Sequence, residues 1–374
     1  MVIGVDVREA APERRAGKGR VVAELVPRLA KQSPGDTWLL FTDRRFDWSG
    51  GAEGGAMDLP DNCRWRVVPG RGPLWHRRAA AAANRACDLY FSPLSYLTPR
   101  YLKIPTVLFV HDLLAFSRRW GGSLRVRLIE RLTLRRALRK AAAVITNSEA
   151  TATDLRERYR RRVPEITVAP LAADRFKKVP SPAAVRKVRS RHRLPARYIL
   201  AVGTIEPRKN HARLIEAFES IPASRRRDTA LVIAGRWGWR YRPVKNSLAR
   251  AKRARVPVKI IEGPSDEELA AFYKGATVFA YPSLLEGFGL PVLEAMQLGI
   301  PVVTSDIPAL HELAGDTAEY ANPKDVDSIR AALESLLGSA PRRRKLAASG
   351  KRRAAAFDWD RSAKSALTAL RQVS

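Results

Sequence analysis

Short runs rich in Val, Ile and Leu recur along this 374-residue chain, with helical patterns between them. "VIGVDV" (2–7) leads into "GKGRVVAELVPRLAKQ". "TWLLFT", "CDLYFSP", "TVLFVHD", "AAVITNS" and "EITVAPL" follow, then "YILAVGT", "ALVIAGR", "VKIIEG", "TVFAYPS" and "IPVVTSD". The runs are continuously apolar rather than alternating, as in parallel strands buried on both faces. Strand and helix in alternation predict doubly wound α/β domains, and the length suffices for two. "RFKKVPSPAAVRKVRSRHRLPAR" (175–197) is Pro-rich, charged and poor in strand signal, so it reads as a linker. The expected architecture is two Rossmann-like domains, 1–178 and 195–357, facing across a cleft. Residues 358–374 are expected to form a helix that packs Trp359, Leu367 and Leu370 back on the first domain. Open α/β sheets bind ligands at the carboxyl ends of their strands, so the strand-end loops are where chemistry is expected.

Composition narrows the class. Hydrophobic residues make up 45% of the chain, which supports real cores and excludes a disordered polycation. The formal net charge is +31, which predicts acidic partners: nucleic acid, an anionic membrane surface or phosphorylated substrates. No basic leader precedes an apolar core, no run approaches a membrane span, and Cys63 and Cys87 cannot form a disulfide framework. The expected location is the cytoplasm, with peripheral contact on the inner face of the membrane through charge. No internal repeat and no metal-ligand spacing stands out, so no metal site is expected.

Four strand-end loops carry candidate chemistry. In "SLLEGFGLPVLEAMQLGIPVV" (283–303), Gly287 and Gly289 let backbone amides approach a ligand, and Pro291 suits the first turn of a helix. A helix start supplies unpaired N–H groups and a positive dipole end, which together favour an anion. Glu286 before it and Glu294 one turn into the helix are placed to accept hydroxyl hydrogen bonds. An isolated EGFG serves equally well as a plain strand–helix turn; the flanking strands favour the site. In "AVGTIEPRKNHARLIEAF" (201–218), Gly203 and Thr204 begin a loop. Arg208 and Lys209 follow where strand becomes helix, placed to neutralise a diphosphate. Among 68 Lys and Arg, such a pair is more often simply solvated. In "TVLFVHDLLAF", His111 and Asp112 follow a buried strand. The histidine is either structural or turned toward a substrate hydroxyl, and Asp112 either holds its ring or caps a turn. In "RRAGKGRVVAEL", Gly17 and Gly19 open a helix. Val22 stands at the third position of G-x-G-x-x-G, so the dinucleotide fingerprint is weak.

In this order, these pieces resemble the retaining nucleotide-sugar glycosyltransferases of family 4, which have the GT-B fold. The likeness covers nearly the whole chain. Its strongest part is 195–315, with "VGTIEPRKNHARLIEAF" and the Glu286/Glu294 pair; "GKGRVVAEL", "VHDL" and "NSEATATDL" carry it in the first half. The resemblance implies that Arg208 and Lys209 bind the donor diphosphate and Glu294 the nucleotide ribose. Glu286 would contact the transferred sugar, supported by the amides of Gly287, Phe288, Gly289 and Leu290. His111 would lie near the reacting sugar and Gly19 under the phosphates. Many relatives carry an Arg where Thr204 stands, which leaves more of the phosphate to Arg208 and Lys209. "GTIEPRKN" is similar to bacterial mannosyltransferases of polysaccharide assembly. GDP-mannose is therefore the expected donor, with no cofactor and no metal, and a glycan or lipid-linked molecule the expected acceptor. Retention of configuration is implied.

The arginine-rich segments "SRRWGGSLRVRLIERLTLRRALRKAAAVI" and "GPLWHRRAAAAANRA" lie in the first domain, where this fold holds the acceptor. They suit an anionic bilayer or a lipid diphosphate, or else are ordinary solvated faces. The rival readings are a UDP-sugar-dependent transferase of the same family, a GT-B nucleotide-sugar epimerase, an inactive scaffold, and a basic nucleic-acid-binding protein. No helix-turn-helix, zinc-finger or RNA-recognition pattern appears, so no specific nucleic acid is expected.

Overall fold

The computed structural model describes residues 1–12, 17–48, 57–117, 124–160, 163–176, 179–226 and 228–373. Residues 14–16 of the first glycine loop, 118–123 of the first arginine-rich segment, and 177–178 of the expected linker lie outside the described residues, as do the side chains of 125 and 126. The chain divides into two compact units, Met1–Ala172 with Phe357–Ser374, and Ala173–Ala356.

The first unit runs β1 (Val2–Asp6), α1 (Lys18–Gln32), β2 (Thr37–Thr42), β3 (Cys63–Val67), α2 (Gly72–Ala86), β4 (Leu89–Ser92), β5 (Thr106–Val110), α3 (Leu124–Leu138), β6 (Ala143–Thr146), α4 (Glu149–Tyr159) and β7 (Ile166–Val168). Its strands pair in parallel in the order β3-β2-β1-β4-β5-β6-β7. Strands β4, β5 and β6 are buried throughout, which accounts for their uninterrupted apolar sequences.

The second unit runs α5 (Pro182–Arg191), β8 (Arg197–Val202), α6 (His211–Glu219), α7 (Ala223–Arg226), β9 (Thr229–Ala234), α8 (Arg242–Arg253), β10 (Val258–Ile261), α9 (Asp266–Gly275), β11 (Val278–Tyr281), α10 (Leu290–Gln297), β12 (Val302–Ser305), α11 (Pro308–Ala314), β13 (Glu319–Ala321), α12 (Val326–Gly338) and α13 (Ala340–Ala354). The parallel order is β10-β9-β8-β11-β12-β13. Ile199, Ile215, Phe218, Ile233, Leu333 and Leu336 belong to one fully buried core between this sheet and its helices.

The last helix, α14 (Trp359–Arg371), belongs to the first unit. Asp358 caps it, Gln32 of α1 donates to the Asp360 carbonyl at 2.9 Å, and Trp359, Leu367 and Leu370 are buried.

The expected linker at 175–197 is corrected. This stretch belongs to the second unit and carries α5, started by the Ser181 cap and Pro182. Helix α5 packs on α9: Val185 lies against Gly275, and Arg191 and His192 both reach Glu268, at 3.0 and 3.1 Å. Its charged sequence hid the helix, because α5 buries no residue completely and so shows no apolar stripe.

Candidate functional site

In both sheets the strand order reverses once: between β1 and β4 in the first, and between β8 and β11 in the second. A doubly wound sheet opens a crevice at that switch point, beyond the carboxyl ends of the two strands. In the second unit the strand-end loops after β8 and β11 supply Arg208, Lys209 and Glu286, and the structure brings these three together.

The loop after β8 turns through Pro207–Lys209 into Asn210, which adopts a left-handed backbone (φ 62°) at the start of α6. Asn tolerates that conformation, and its side-chain amide donates to the carbonyls of Pro282 (3.0 Å) and Pro323 (2.7 Å). The Leu284 amide donates back to the Arg208 carbonyl at 2.8 Å. The two loops are therefore stitched together through their backbones, and the cations are presented from a fixed frame.

Glu286 lies at the centre. Its Oε1 accepts from Arg208 Nη1 (2.6 Å), Lys209 Nζ (2.7 Å), Ser283 Oγ (2.6 Å) and Tyr281 OH (2.9 Å). Its Oε2 has no partner among the described residues. One oxygen is anchored by four donors and the other stays available as an acceptor. Burial works against the charge, but Arg208 and Lys209 outweigh it and bring the carboxyl down to about 2 from 4.5. Lys209 is buried. Burial pushes its ammonium pKa down, while Glu286 works to keep it charged. It also donates to the Tyr281 hydroxyl and lies 4.6 Å from that ring's centre. Two of its three N–H groups are thereby used.

The segment after Glu286 enters α10 through Gly289, whose φ of 107° is a glycine conformation. A Cβ there would stand 2.6 Å from Leu310 Cδ2. Phe288 is buried and anchors the turn. In the first turn of α10, Pro291 has no N–H and the amides of Val292 and Leu293 donate to the Gly289 carbonyl at 2.9 and 3.2 Å, so the Leu290 amide is the one this helix start offers to an anion.

Glu294 is separate from this cluster. It is buried one turn into α10, where Oε2 accepts from Tyr273 OH at 2.9 Å and Oε1 lies 3.8 Å from Arg175 Nη1. Thr204 is exposed, and its methyl borders Gly238, where an added Cβ would stand 2.6 Å away. His111 and Gly19 belong to the first unit. The His111 Nε2 donates to the Pro93 carbonyl at 2.8 Å, and the ring stacks on Phe109 with centres 4.5 Å apart. Burial, then Lys18, lowers its pKa to about 4, so at neutral pH it is an uncharged ring whose Nδ1 is an acceptor. Asp112 caps the following turn by accepting from Leu114 N at 2.9 Å. Gly19 is buried at the start of α1, where a Cβ would stand 2.0 Å from the Glu9 carbonyl oxygen, so close packing alone requires glycine there.

Sequence reasoning missed Tyr281, Ser283, Asn210 and Glu206. Tyr281 and Ser283 were visible as the polar residues that end the apolar run "TVFAYPS". Asn210 and Glu206 flank the singled-out Arg-Lys pair.

A model for glycosyl transferases group 1 matches residues 186–353, and one for glycosyltransferase family 4 matches residues 16–175. The chain is 32% identical over 290 residues to an O-antigen chain mannosyltransferase B of Escherichia coli, covering 77% of this chain and 75% of that one. It is 33% identical over 247 residues to an MMP alpha-(1->4)-mannosyltransferase of Mycolicibacterium hassiacum, covering 65% of this chain and 55% of that one. Among solved structures, sucrose-phosphate synthase from Thermosynechococcus elongatus superposes with a TM-score of 0.76 at 20% identity, over 100% of this chain and 98% of that one. Anabaena HepE, solved in complex with UDP and glucose, gives 0.76 at 17% identity, over 100% of both chains. The two sheets, the loops at the second switch point and these likenesses lead to one conclusion: the chain belongs to the group 1, family 4 glycosyltransferases and has the GT-B fold.

Proposed function

We propose that the protein transfers mannose from GDP-mannose to a glycan or lipid-linked acceptor in cell-surface polysaccharide synthesis, with retention of configuration and without a metal. The observation that carries this reading is Glu286, with Oε1 held by four donors and Oε2 open beside two cations at a switch point. Arg208, Lys209 and the Leu290 amide at the start of α10 receive the diphosphate, where charge develops as the glycosidic bond breaks. The open Oε2 accepts from a hydroxyl of the transferred sugar, and Glu294 from the ribose. Neutral His111 accepts through Nδ1 from a hydroxyl of the reacting sugar.

In the proposed step the bond from the anomeric carbon to the diphosphate breaks while the acceptor oxygen bonds to the same face of that carbon. The acceptor proton passes to the departing phosphate oxygen. A carboxyl that titrates at about 2 and has four donors on one oxygen is a weak base and a weak nucleophile. That favours this route over a covalent glycosyl-Glu286. The choice of mannose rests on the likeness to the O-antigen enzyme of Escherichia coli.

The basic first unit supports contact with an anionic bilayer. On α3, Leu124, Leu128, Ile129 and Leu132 are all exposed, at 73%, 55%, 51% and 46%. Arg135 and Arg136, both exposed, follow on the same helix. Among the described residues no helix is long and apolar enough to cross a membrane. Sedimentation with anionic but not neutral vesicles tests this contact; equal sedimentation with both contradicts it.

The donor is tested by incubating the enzyme, EDTA and an acceptor extract with GDP-mannose, UDP-glucose or ADP-glucose and measuring nucleotide release. GDP release with a retained anomer in the product is expected. UDP release keeps the enzyme class and discards mannose; loss of activity in EDTA discards metal independence.

A further inference from the structure

We infer that Glu206 and Trp239 are positioning residues that aim Arg208 at the diphosphate; this rests on the donor-site reading above. Arg208 donates from Nε to Glu206 Oε1 at 2.9 Å, and its Nη2 lies 2.8 Å from the same oxygen. Its other edge, through Nη1, reaches Glu286 Oε1 at 2.6 Å and the Leu285 carbonyl at 3.2 Å. The guanidinium is thus gripped at both edges by carboxylates from different segments. Glu206 is fixed in turn, since its Oε2 accepts from the Trp239 indole N–H at 3.1 Å.

The loop that carries Trp239 is tied to the same strand end. Ile205 N donates to the Arg236 carbonyl at 2.8 Å, and Gly238 N donates to the Ile205 carbonyl at 3.1 Å. Trp237 packs edge-on against Tyr241, with ring centres 5.2 Å apart. Trp239 therefore comes from the loop after β9, the strand beside β8. It acts on the clamp from the side away from β11.

Two cations, Arg208 and Lys209, face two carboxylates, Glu206 and Glu286, so the cluster carries no formal excess charge. If the site worked by raw positive charge, Glu206 would be counterproductive. A role in direction explains it: an arginine has many rotamers to lose, and a guanidinium already fixed loses fewer when the diphosphate arrives. Removing Glu206 gives up that pre-organisation but also deletes a negative charge near the diphosphate, and the two effects offset each other, so nucleotide affinity stays close to wild type. Turnover falls because the guanidinium no longer points where charge develops.

The test uses Glu206→Gln, Trp239→Phe and the double variant. It measures the GDP dissociation constant by calorimetry and kcat with GDP-mannose, or UDP and UDP-glucose if the wild type prefers them. The expected result is a fall in kcat of about 10- to 100-fold for Glu206→Gln and a smaller one for Trp239→Phe. The nucleotide dissociation constant should stay within about threefold of wild type. Because both residues act through Arg208, Trp239→Phe should add less than about twofold once Glu206 is changed. Affinity falling in step with kcat, multiplicative effects in the double variant, or unchanged kcat in both single variants overturns the inference. A wild type that binds neither GDP nor UDP overturns the donor-site reading first and this inference with it.

Discussion

Replacing Glu286 by Gln separates the two roles of that side chain. The amide oxygen can take the place of Oε1 and keep its four donors, so the geometry survives. Two things change. The contacts to Arg208 and Lys209 lose their charge assistance, about 1 kcal/mol each, or roughly 2 kcal/mol of stability in the second unit. The titration leads to a similar magnitude: a carboxyl held at about 2 rather than 4.5 contributes on the order of 3 kcal/mol at neutral pH. The other change is at Oε2, which becomes an NH₂ that donates where the sugar hydroxyl needs an acceptor. Loss of one such transition-state contact costs about 10²- to 10³-fold in turnover. Arg208 and Lys209, no longer opposed by Glu286, should hold GDP as tightly as before or tighter. Calorimetry with GDP and initial rates with GDP-mannose measure the two effects independently. A Glu286→Gln enzyme whose GDP affinity drops as far as its turnover would show that the carboxylate supports the nucleotide site as a whole, and the division of labour argued here would be wrong.

The same carboxylate sets an acid limb of stability. Its folded pKa is depressed, so its contribution is complete above pH 4.5 and disappears as pH falls toward about 2; denaturation curves across that window should be flatter for Glu286→Gln, and parallel curves would contradict the assignment. His111 stays neutral above its lowered pKa of about 4, so kcat should show no His111 titration between pH 6 and 8. His111→Gln, which retains one donor and one acceptor, should keep about ten times more activity than His111→Ala; equal losses would mean that the ring acts through its shape. Gly289→Ala forces a Cβ into Leu310 at a φ of 107° and should lower stability by roughly 2 kcal/mol or more, read by denaturant midpoint; a neutral change would mean that the loop relaxes freely.

The fold was legible wherever packing dictates sequence. Strands such as "TVLFV" and "TALVIA" are buried on both faces, so their apolar runs announce parallel sheets. Helix α5 was hidden for the converse reason: a helix that buries nothing fully has no stripe to read. Within the site, Arg208, Lys209 and Glu286 were found because they stand in loops at the carboxyl ends of strands, where open α/β sheets bind ligands. Tyr281 and Ser283 went unnoticed, because their work depends on Oε1 of Glu286 lying within 3 Å of both, a through-space fact. The same holds for Trp239, 33 residues from the Glu206 it holds. His111 and Asp112 left two readings open each; the hydrogen bonds put the His111 ring on the Pro93 carbonyl and Asp112 on its own turn.

The most direct measurement is a thermal-shift series with GDP, UDP, ADP and their common sugar conjugates, in EDTA, on wild type and Lys209→Ala. Ligands that bind the folded state raise its melting temperature by mass action. A selective rise with GDP and GDP-mannose, much reduced in Lys209→Ala, is the expected result. No rise with any of them in the wild type, or a rise equally large in Lys209→Ala, would contradict the claim that the loops after β8 and β11 hold the donor's diphosphate.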